Sequence, residues 1–249
     1  MAAIIKSQAE QEKMRETGRI VADVLAELRS AVRPGITTES LDRIAAEILK
    51  QRGAKSSSLG YHGYPKSLCT SVNDEVVHGI PCERVLNEGD IVSIDLAAIY
   101  NGWHADSAIT VPVGRVPAEV ERLLKVTEEA LYRGIAAARA RNRLHDISRA
   151  VQQYVEAAGF AVVRQYGGHG VGRSMHEDPQ VLNYIEPGYP NLVLKPGMVI
   201  AIEPMVNMGA KETRVLGDEW TVVTDDGGYS AHFEHTVAIT EGDAVILTM

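Results

Sequence analysis

The sequence predicts an α+β chain of two related halves, each a pair of helices packed on one shared antiparallel sheet. Three observations carry that prediction. The residue patterns run helix, helix, strands, and then the same order again. Leu86-Asn-Glu-Gly-Asp-Ile-Val-Ser-Ile-Asp95 matches Leu194-Lys-Pro-Gly-Met-Val-Ile-Ala-Ile-Glu203 at an offset of 108, each a turn glycine, an apolar strand and a closing carboxylate. Upstream, Leu41, Ala45, Ile48, Leu49 and Gly53 match Ile147, Val151, Tyr154, Val155 and Gly159 at an offset of 106. The pseudo-repeats cover residues 10–112 and 118–249 of a single domain, 1–249. An acid that closes the same strand in each half then meets its counterpart near the midline.

Each element has a local cause. Met14, Val21, Leu25, Leu28 and Val32 fall on one helical face, and Arg33-Pro34-Gly35 stops that helix. A second helix starts at Thr37-Thr38, either of which can cap it, turns Leu41, Ile44, Ala45, Ile48 and Leu49 inward and ends at Gly53. From Gly60 the texture changes to Gly, Tyr, Pro and short β-type runs. Ile91 to Tyr100 is a strand, Asn101-Gly102 a two-residue hairpin turn, and Trp103 to Val111 the return strand, closed by Pro112. Residues 118–140 and 143–158 read as two more helices, the second ending at Gly159. Short strands and Gly/Pro turns follow from Phe160 onward.

Composition narrows the function classes. The 249 residues are 45% hydrophobic and 23% charged, enough to bury a substantial core. Lys plus Arg is 25 and Asp plus Glu 33, a net charge of −8, which argues against nucleic acid as the main partner. Two cysteines, Cys69 and Cys82, exclude a disulfide scaffold and a four-thiolate zinc site. The N-terminal stretch has no signal-peptide pattern and no run approaches membrane-spanning length, so a soluble, cytoplasmic protein is expected.

The chemistry gathers around carboxylates. With Asn101-Gly102 as the loop, Tyr100 pairs with Trp103, Ala97 faces Asp106 and Asp95 faces Ala108. Asp95 and Asp106 are then diagonal neighbours on one face, roughly 7–8 Å apart at most. That face also carries Ile91, Ala97 and Ala108 and so looks inward. Two desolvated carboxylates repel each other, and a divalent cation removes the conflict. A longer loop would shift the parity and leave two solvated surface aspartates, and the hairpin alone leaves both readings open. Further candidates are Glu203 before Pro204, Glu234 within Ala231-His-Phe-Glu-His-Thr, and His169 between glycines, where only backbone crowds it. One His with two Asp and two Glu is an oxygen-rich set, unlike structural zinc sites. Four carboxylates suit two divalent ions better than one. The glycine-rich run around His169 lacks the Lys-Ser/Thr ending and the spacing of a phosphate loop.

At this point the chain resembles a family. Gly60-Tyr-His-Gly-Tyr-Pro-Lys66, Ser71-Val-Asn-Asp-Glu-Val-Val-His-Gly-Ile-Pro81, Asp95 with Asp106, Gly168-His-Gly-Val-Gly172, His176-Glu-Asp-Pro179, Ile202-Glu-Pro204 and Phe233-Glu-His-Thr236 are similar to the motifs of type I methionine aminopeptidases in their compact bacterial form. The likeness covers almost the whole chain in order. It implies the pita-bread (creatinase/aminopeptidase-like) fold, whose two pseudo-symmetric halves agree with the repeat.

The resemblance implies five metal ligands, Asp95, Asp106, His169, Glu203 and Glu234, around two ions of Co, Mn, Fe or Zn. Asp106 and Glu234 would bridge the ions, Asp95 would chelate one, and His169 with Glu203 would hold the other. A bridging water acidified by the metals would be the nucleophile, with Glu203 relaying its proton to the leaving amine. His78 would hydrogen-bond the substrate amide, and His176 would steady the oxyanion or the next carbonyl. The methionine pocket would be formed by Ser58, Tyr61, Tyr64, Cys69, Met175, His176 and Trp220. Ser58 stands where the family often has Cys, and Met175 where it often has Phe, a change that keeps the wall apolar and polarizable. The implied substrates are nascent polypeptide N-termini at the ribosome whose second residue is small, and a monomer with no nucleic-acid or membrane partner is expected. Three other readings compete. A proline-directed peptidase of the same fold usually carries an extra N-terminal domain. A metal-free binding module would not need all five ligands. A dinuclear phosphoesterase wants basic residues near the metals, where the motifs offer few beyond Arg173.

Overall fold

A computed structural model describes residues 3–249; Met1 and Ala2, the first residues of the stretch read as lacking a signal peptide, lie outside them. Helix α1 spans Gln8–Ala31 and opens on a reciprocal cap. The Ser7 hydroxyl accepts the Glu10 N–H, and Glu10 Oε2 accepts the Ser7 N–H at 2.8 Å. Helix α2 spans Thr38–Gln51, and Thr37 is the cap, accepting the Ser40 N–H at 3.1 Å. Helices α3 (Ala118–Ala137) and α4 (Leu144–Ala157) open the second half. The strands are β1 (Lys55–Ser56), β2 (Cys69–Val72), β3 (Glu75–Val77), β4 (Ile91–Tyr100) and β5 (Trp103–Pro112). After α4 come β6 (Ala161–Val162), β7 (Gly168–Gly170), β8 (Glu177–Val181), β9 (Val199–Ile202) and β10 (Met205–Asn207). The last are β11 (Thr213–Val215), β12 (Val222–Thr224), β13 (Ser230–His232), β14 (Glu234–Ala238) and β15 (Val245–Ile246).

Two expectations need correction. The helix read as 118–140 ends at Ala137. Beyond it Arg141 turns left-handed (φ 76) and its N–H donates to Leu194 O at 3.0 Å, which pulls the backbone off the helical path. Asn142 Nδ2 then caps the freed Ala137 carbonyl at 2.9 Å. Ile44 and Ile48, read as inward, are half-buried, because only Leu41, Ala45 and Leu49 on α2 sit squarely over the core.

The large sheet runs β1-β4-β5-β14-β9-β7-β8, with β2 also on β4 and β15 on β14. Its pairings are antiparallel, and β5 against β14 is the seam between halves. The duplication is visible bond for bond. Helices α2 and α4 are both 14 residues long. Gly35 N–H donates to Leu86 O at 2.8 Å, as Arg141 N–H does to Leu194 O at 3.0 Å. Leu86 N–H donates to Ile36 O at 2.8 Å, as Leu194 N–H does to Asn142 O at 2.7 Å. The isolated bridge Thr37–Val85 has its counterpart in Arg143–Val193.

Each half buries its own core. Val92, Ile94 and Leu96 of β4 pack with Leu25, Leu28, Leu41, Ala45 and Leu49 of α1 and α2. Ile200 and Ile202 of β9 pack with Leu123, Leu131, Ile147, Val151 and Val155 of α3 and α4. Side chains alternate along a strand, so Asp95 and Ala97 on β4, and Glu203 just past β9, point to the face away from the helices. Among the described residues no helix is long and apolar enough to cross a membrane.

Candidate metal centre

The hairpin forms with the register that the two-residue turn requires. Asn101 (φ 50) and Gly102 (φ 76) both take positive φ, Tyr100 pairs with Trp103, Ala97 with Asp106 and Asp95 with Ala108. On the other edge of β5, Ala108 pairs with Glu234 of β14. Ile202 pairs with His235, so Glu203, one residue on, comes up beside Glu234. Asp95, Ala108, Glu234 and Glu203 thus form one row across four strands, and the alanine leaves room in the middle of it. Asp106 enters from the next row, opposite another alanine, Ala97. His169 arrives on β7, which is tied to β9 through the Gly170–Ile200 pair.

The glycines beside His169 have a cause other than the ligand access read from the sequence. A Cβ on Gly168 would stand 2.1 Å from Ala201 O, and one on Gly170 2.4 Å from Asp178 O. Their absence lets β7 lie between β9 and β8 closely enough to aim the imidazole.

Asp106, His169 and Glu234 are buried, with donor atoms all within 4.8 Å of one another. His169 Nε2 is 3.5 Å from Glu203 Oε1 and 4.0 Å from Asp106 Oδ2. Its Nδ1 is 3.0 Å from Gly170 O, an acceptor, so Nδ1 carries the proton and Nε2 presents a lone pair to the carboxylates. Burial holds His169 down to about 3, so the ring is neutral and cannot compensate their charge. Burial pushes Asp95 up to about 6. Burial, then the charge of Asp95, pushes Glu203 up to about 8. Asp106 and Glu234 are raised well above the carboxylate range, by burial first and then by neighbouring carboxylates. Asp106 Oδ1 and Glu234 Oε1 are buried without a hydrogen-bond partner. Orphaned oxygens, an imidazole lone pair and mutually repelling acids at one point are the donor set that a divalent cation satisfies. The residues present fit a metal.

Hydroxyls fasten the seam around these acids. Thr236 Oγ1 accepts the Asp106 N–H at 2.9 Å and donates to Asp106 O at 2.8 Å. Thr110 Oγ1 does the same for His232, at 2.9 and 2.7 Å, and Ser107 Oγ donates to Glu234 O at 2.6 Å. No role was read from the sequence for Thr236, Thr110, Ser107 or His232, although Thr236 and His232 stand in the runs quoted around Glu234. His232 is 2% exposed, and its unpartnered Nε2 lies 3.9 Å from Glu203 Oε2. Its signal was the two-residue spacing to Glu234, which puts both side chains on one face.

The acids close the floor of a cavity of about 250 Å³ whose lining includes all five expected ligands and all of Ser58, Tyr61, Tyr64, Cys69, His78, Met175, His176 and Trp220. Gln165, Tyr166 and Gln180 line it as well and had no motif to mark them. The Tyr64 hydroxyl lies 3.0 Å from Gly79 O and 3.1 Å from Leu68 O, so the ring turns its apolar face inward, edge-on to Trp220 at 5.0 Å. Burial, then Asp95, pushes the Cys69 thiol up, so it stays neutral. His176 lies against His169 with ring centroids 4.1 Å apart and planes tilted by 47°, and has its Nδ1 3.0 Å from the Tyr61 hydroxyl. Burial, then the charge of His176, pulls His78 down to about 4. No Lys or Arg lines the cavity among the described residues, which removes the support that a phosphoesterase needs. Arg173 stacks on Trp103 instead, 3.9 Å from the ring.

Comparisons with known proteins agree with this geometry. The model of metallopeptidase family M24 matches residues 12–241. The chain is 54% identical over 247 residues to methionine aminopeptidase 1 of Bacillus subtilis (strain 168), with 98% of each chain covered. The crystal structure of methionine aminopeptidase from Rickettsia prowazekii superposes with a TM-score of 0.97 at 40% identity, covering 100% of both chains. A prolidase from Pyrococcus furiosus shares the fold at 24% identity and a TM-score of 0.80, and this chain spans 66% of that longer protein.

Proposed function

The chain belongs to metallopeptidase family M24, and from that premise we infer that it removes the initiator methionine from polypeptides whose second residue is small. The observation that carries this reading is the cavity itself. Its lining joins Tyr64, Cys69, Met175 and Trp220 with four carboxylates and one imidazole drawn from both halves. Asp95, Asp106, His169, Glu203 and Glu234 would hold the metal, and about four negative charges favour two divalent ions over one. Metal bound there acidifies water toward hydroxide at neutral pH and polarises the scissile carbonyl. Oxygen and nitrogen donors accept Co, Mn, Fe or Zn, and supply decides among them.

The chain's own groups do the rest. The acids would be neutralised by the metal they hold, and the free amino group of a peptide would dock on that metal, which restricts action to a chain end. Tyr64, Cys69, Met175 and Trp220 enclose the methionine side chain and exclude water. Glu203, its carboxylate freed of its proton once metal is held, would take a proton from the attacking water and deliver it to the leaving amine. His78 is neutral and donates to the substrate amide. With the Tyr61 hydroxyl donating to Nδ1 of His176, the Nε2–H of His176 is free to donate to the developing oxyanion. The substrates are nascent N-termini, met one chain at a time by a monomer.

Replacing Asp106 with Ala removes a buried donor shared by the whole cluster. Hydrolysis of a Met-Ala-Ser peptide and metal loading, followed by elemental analysis, are both expected to vanish. Undiminished hydrolysis would refute the ligand assignment, and faster cleavage of an Ala-Pro peptide would move the chain to the proline-directed branch of the fold.

A further inference from the structure

The motif His176-Glu-Asp-Pro179 contains an acid that the chemistry above leaves unused. Glu177 opens β8, and its carboxylate is buried against the Lys6 ammonium at 2.6 Å, with side-chain exposures of 6% and 3%. Glu177 Oε1 also accepts the Arg173 and Ser174 N–H groups, at 2.8 and 3.2 Å. A Cβ on Gly172 would stand 2.4 Å from Glu177 Oε1 and 2.7 Å from Lys6 Cε, so the pair packs directly on the loop backbone. That loop, between β7 and β8, hangs Met175 and His176 over the cavity. Lys6 is itself fixed, since its N–H donates to Gly197 O at 2.7 Å and its carbonyl accepts Gln11 Nε2 at 3.0 Å. It precedes α1 and lies outside both repeated units.

We propose that Lys6 and Glu177 are positioning residues, through which the segment before α1 sets the loop that places Met175 and His176 on the substrate. The inference rests on the aminopeptidase reading. Removing one member of a buried pair strands the other's charge, whereas removing both charges does not. In Lys6→Met the carboxylate loses its counter-ion and loosens its hold on the Arg173 and Ser174 amides. In the double variant Lys6→Met/Glu177→Gln the amide oxygen still accepts both N–H groups with no charge to compensate.

The experiment compares wild type, Lys6→Met and the double variant as metal-loaded enzymes on Met-Ala-Ser and Leu-Ala-Ser peptides. It also follows amide hydrogen exchange across residues 172–175 of each metal-free protein. Because small misplacements are costly in a tight site, kcat/KM for the methionine peptide should fall about tenfold or more in Lys6→Met, mainly through KM. The preference over leucine should narrow, metal content should hold, and exchange at Arg173 and Ser174 should accelerate. The double variant should recover part of each change. Unchanged kinetics and exchange in Lys6→Met would overturn the proposal, as would an equal loss in the double variant. If Lys6→Met does not fold, the double variant alone decides, by keeping or losing its selectivity and protection. A wild type that cleaves no methionine peptide would overturn the aminopeptidase reading instead, leaving hydrogen exchange to judge the positioning role.

Discussion

His78 sits at φ 61, a left-handed backbone setting that a side chain with a Cβ adopts rarely and that is often held at functional sites. Its ring lies edge-on to Tyr166 at 5.6 Å and to Trp220 at 6.3 Å, at the wall of the cavity. Its protonation is set by its surroundings. Burial, then the neighbouring His176, brings it to about 4, so at pH 7 it is a neutral donor and adds no positive charge to compete with a metal. His78→Ala is therefore expected to lower kcat by about 10²–10³, the usual loss for one transition-state donor, while metal content by elemental analysis stays at the wild-type level. Loss of metal in that variant would make His78 a ligand. The contrast with His232 shows what a sequence does not mark. Both are histidines at the site, but His78 stood in a motif and His232 stood in an ordinary strand pattern.

Strand β7 shows how an element's residues answer to their neighbours. Gly168 and Gly170 are required by the carbonyls of Ala201 and Asp178, which belong to segments remote in sequence. The hairpin, by contrast, was legible up to the length of its loop, and the two-residue Asn101-Gly102 turn that forms fixes every pair to Asp95. The end of α3 was illegible for the same reason as the glycines, since a backbone bond to Leu194 decides it. Local chemistry set what could be read, and long-range contact set what could not. Gly168→Ala is expected to cost about 1–3 kcal/mol in the urea denaturation of the metal-free protein, as overpacking does, and to weaken metal binding in calorimetric titration. Gly188→Ala is the control: it has φ +84 but open space around its Cβ, so it should cost about 1 kcal/mol of backbone strain and leave metal affinity unchanged. Equal effects on metal binding would mean that β7 does not aim His169.

At the scale of the whole molecule, duplication built the scaffold and divergence filled the site. The crossed bonds Thr236–Asp106 and Thr110–His232 relate the two seam strands, so His232 is the counterpart of Asp106 and Glu234 that of Ala108, while Asp95 and Glu203 remain equivalent. The segment Met205–His232 separates β9 from β14 where the first half has a two-residue turn. This is why the offset of 108 revealed Asp95 and Glu203 but not the others, and the same segment supplies Trp220 to the pocket. The result is a cluster of four acids, Asp106 and Glu234 buried and Asp95 and Glu203 half-buried, whose repulsion the fold must carry without metal. Asp95 is pushed up to about 6, Glu203 to about 8, and Asp106 and Glu234 higher than the carboxylate range. A group whose pKa is raised by folding binds more proton in the native state, so its contribution to stability is lost as pH rises. His169 and His232, drawn down to about 3, and His78 and His235, drawn down to about 4, act in the opposite sense. Their effect is half spent at about pH 6.5, where unfolded histidine is half titrated, and is gone by roughly pH 7.5. Above that the acids dominate, and Glu203 alone should cost the metal-free protein about 1 kcal/mol between roughly pH 7.5 and 9. Divalent metal takes the place of those protons, so the loaded protein should hold its urea midpoint over that interval while the EDTA-treated protein loses it. A metal-free midpoint that rises from about pH 7.5 to 9 would show that the four acids do not share one desolvated site, and the seam would then be held by something other than a cation.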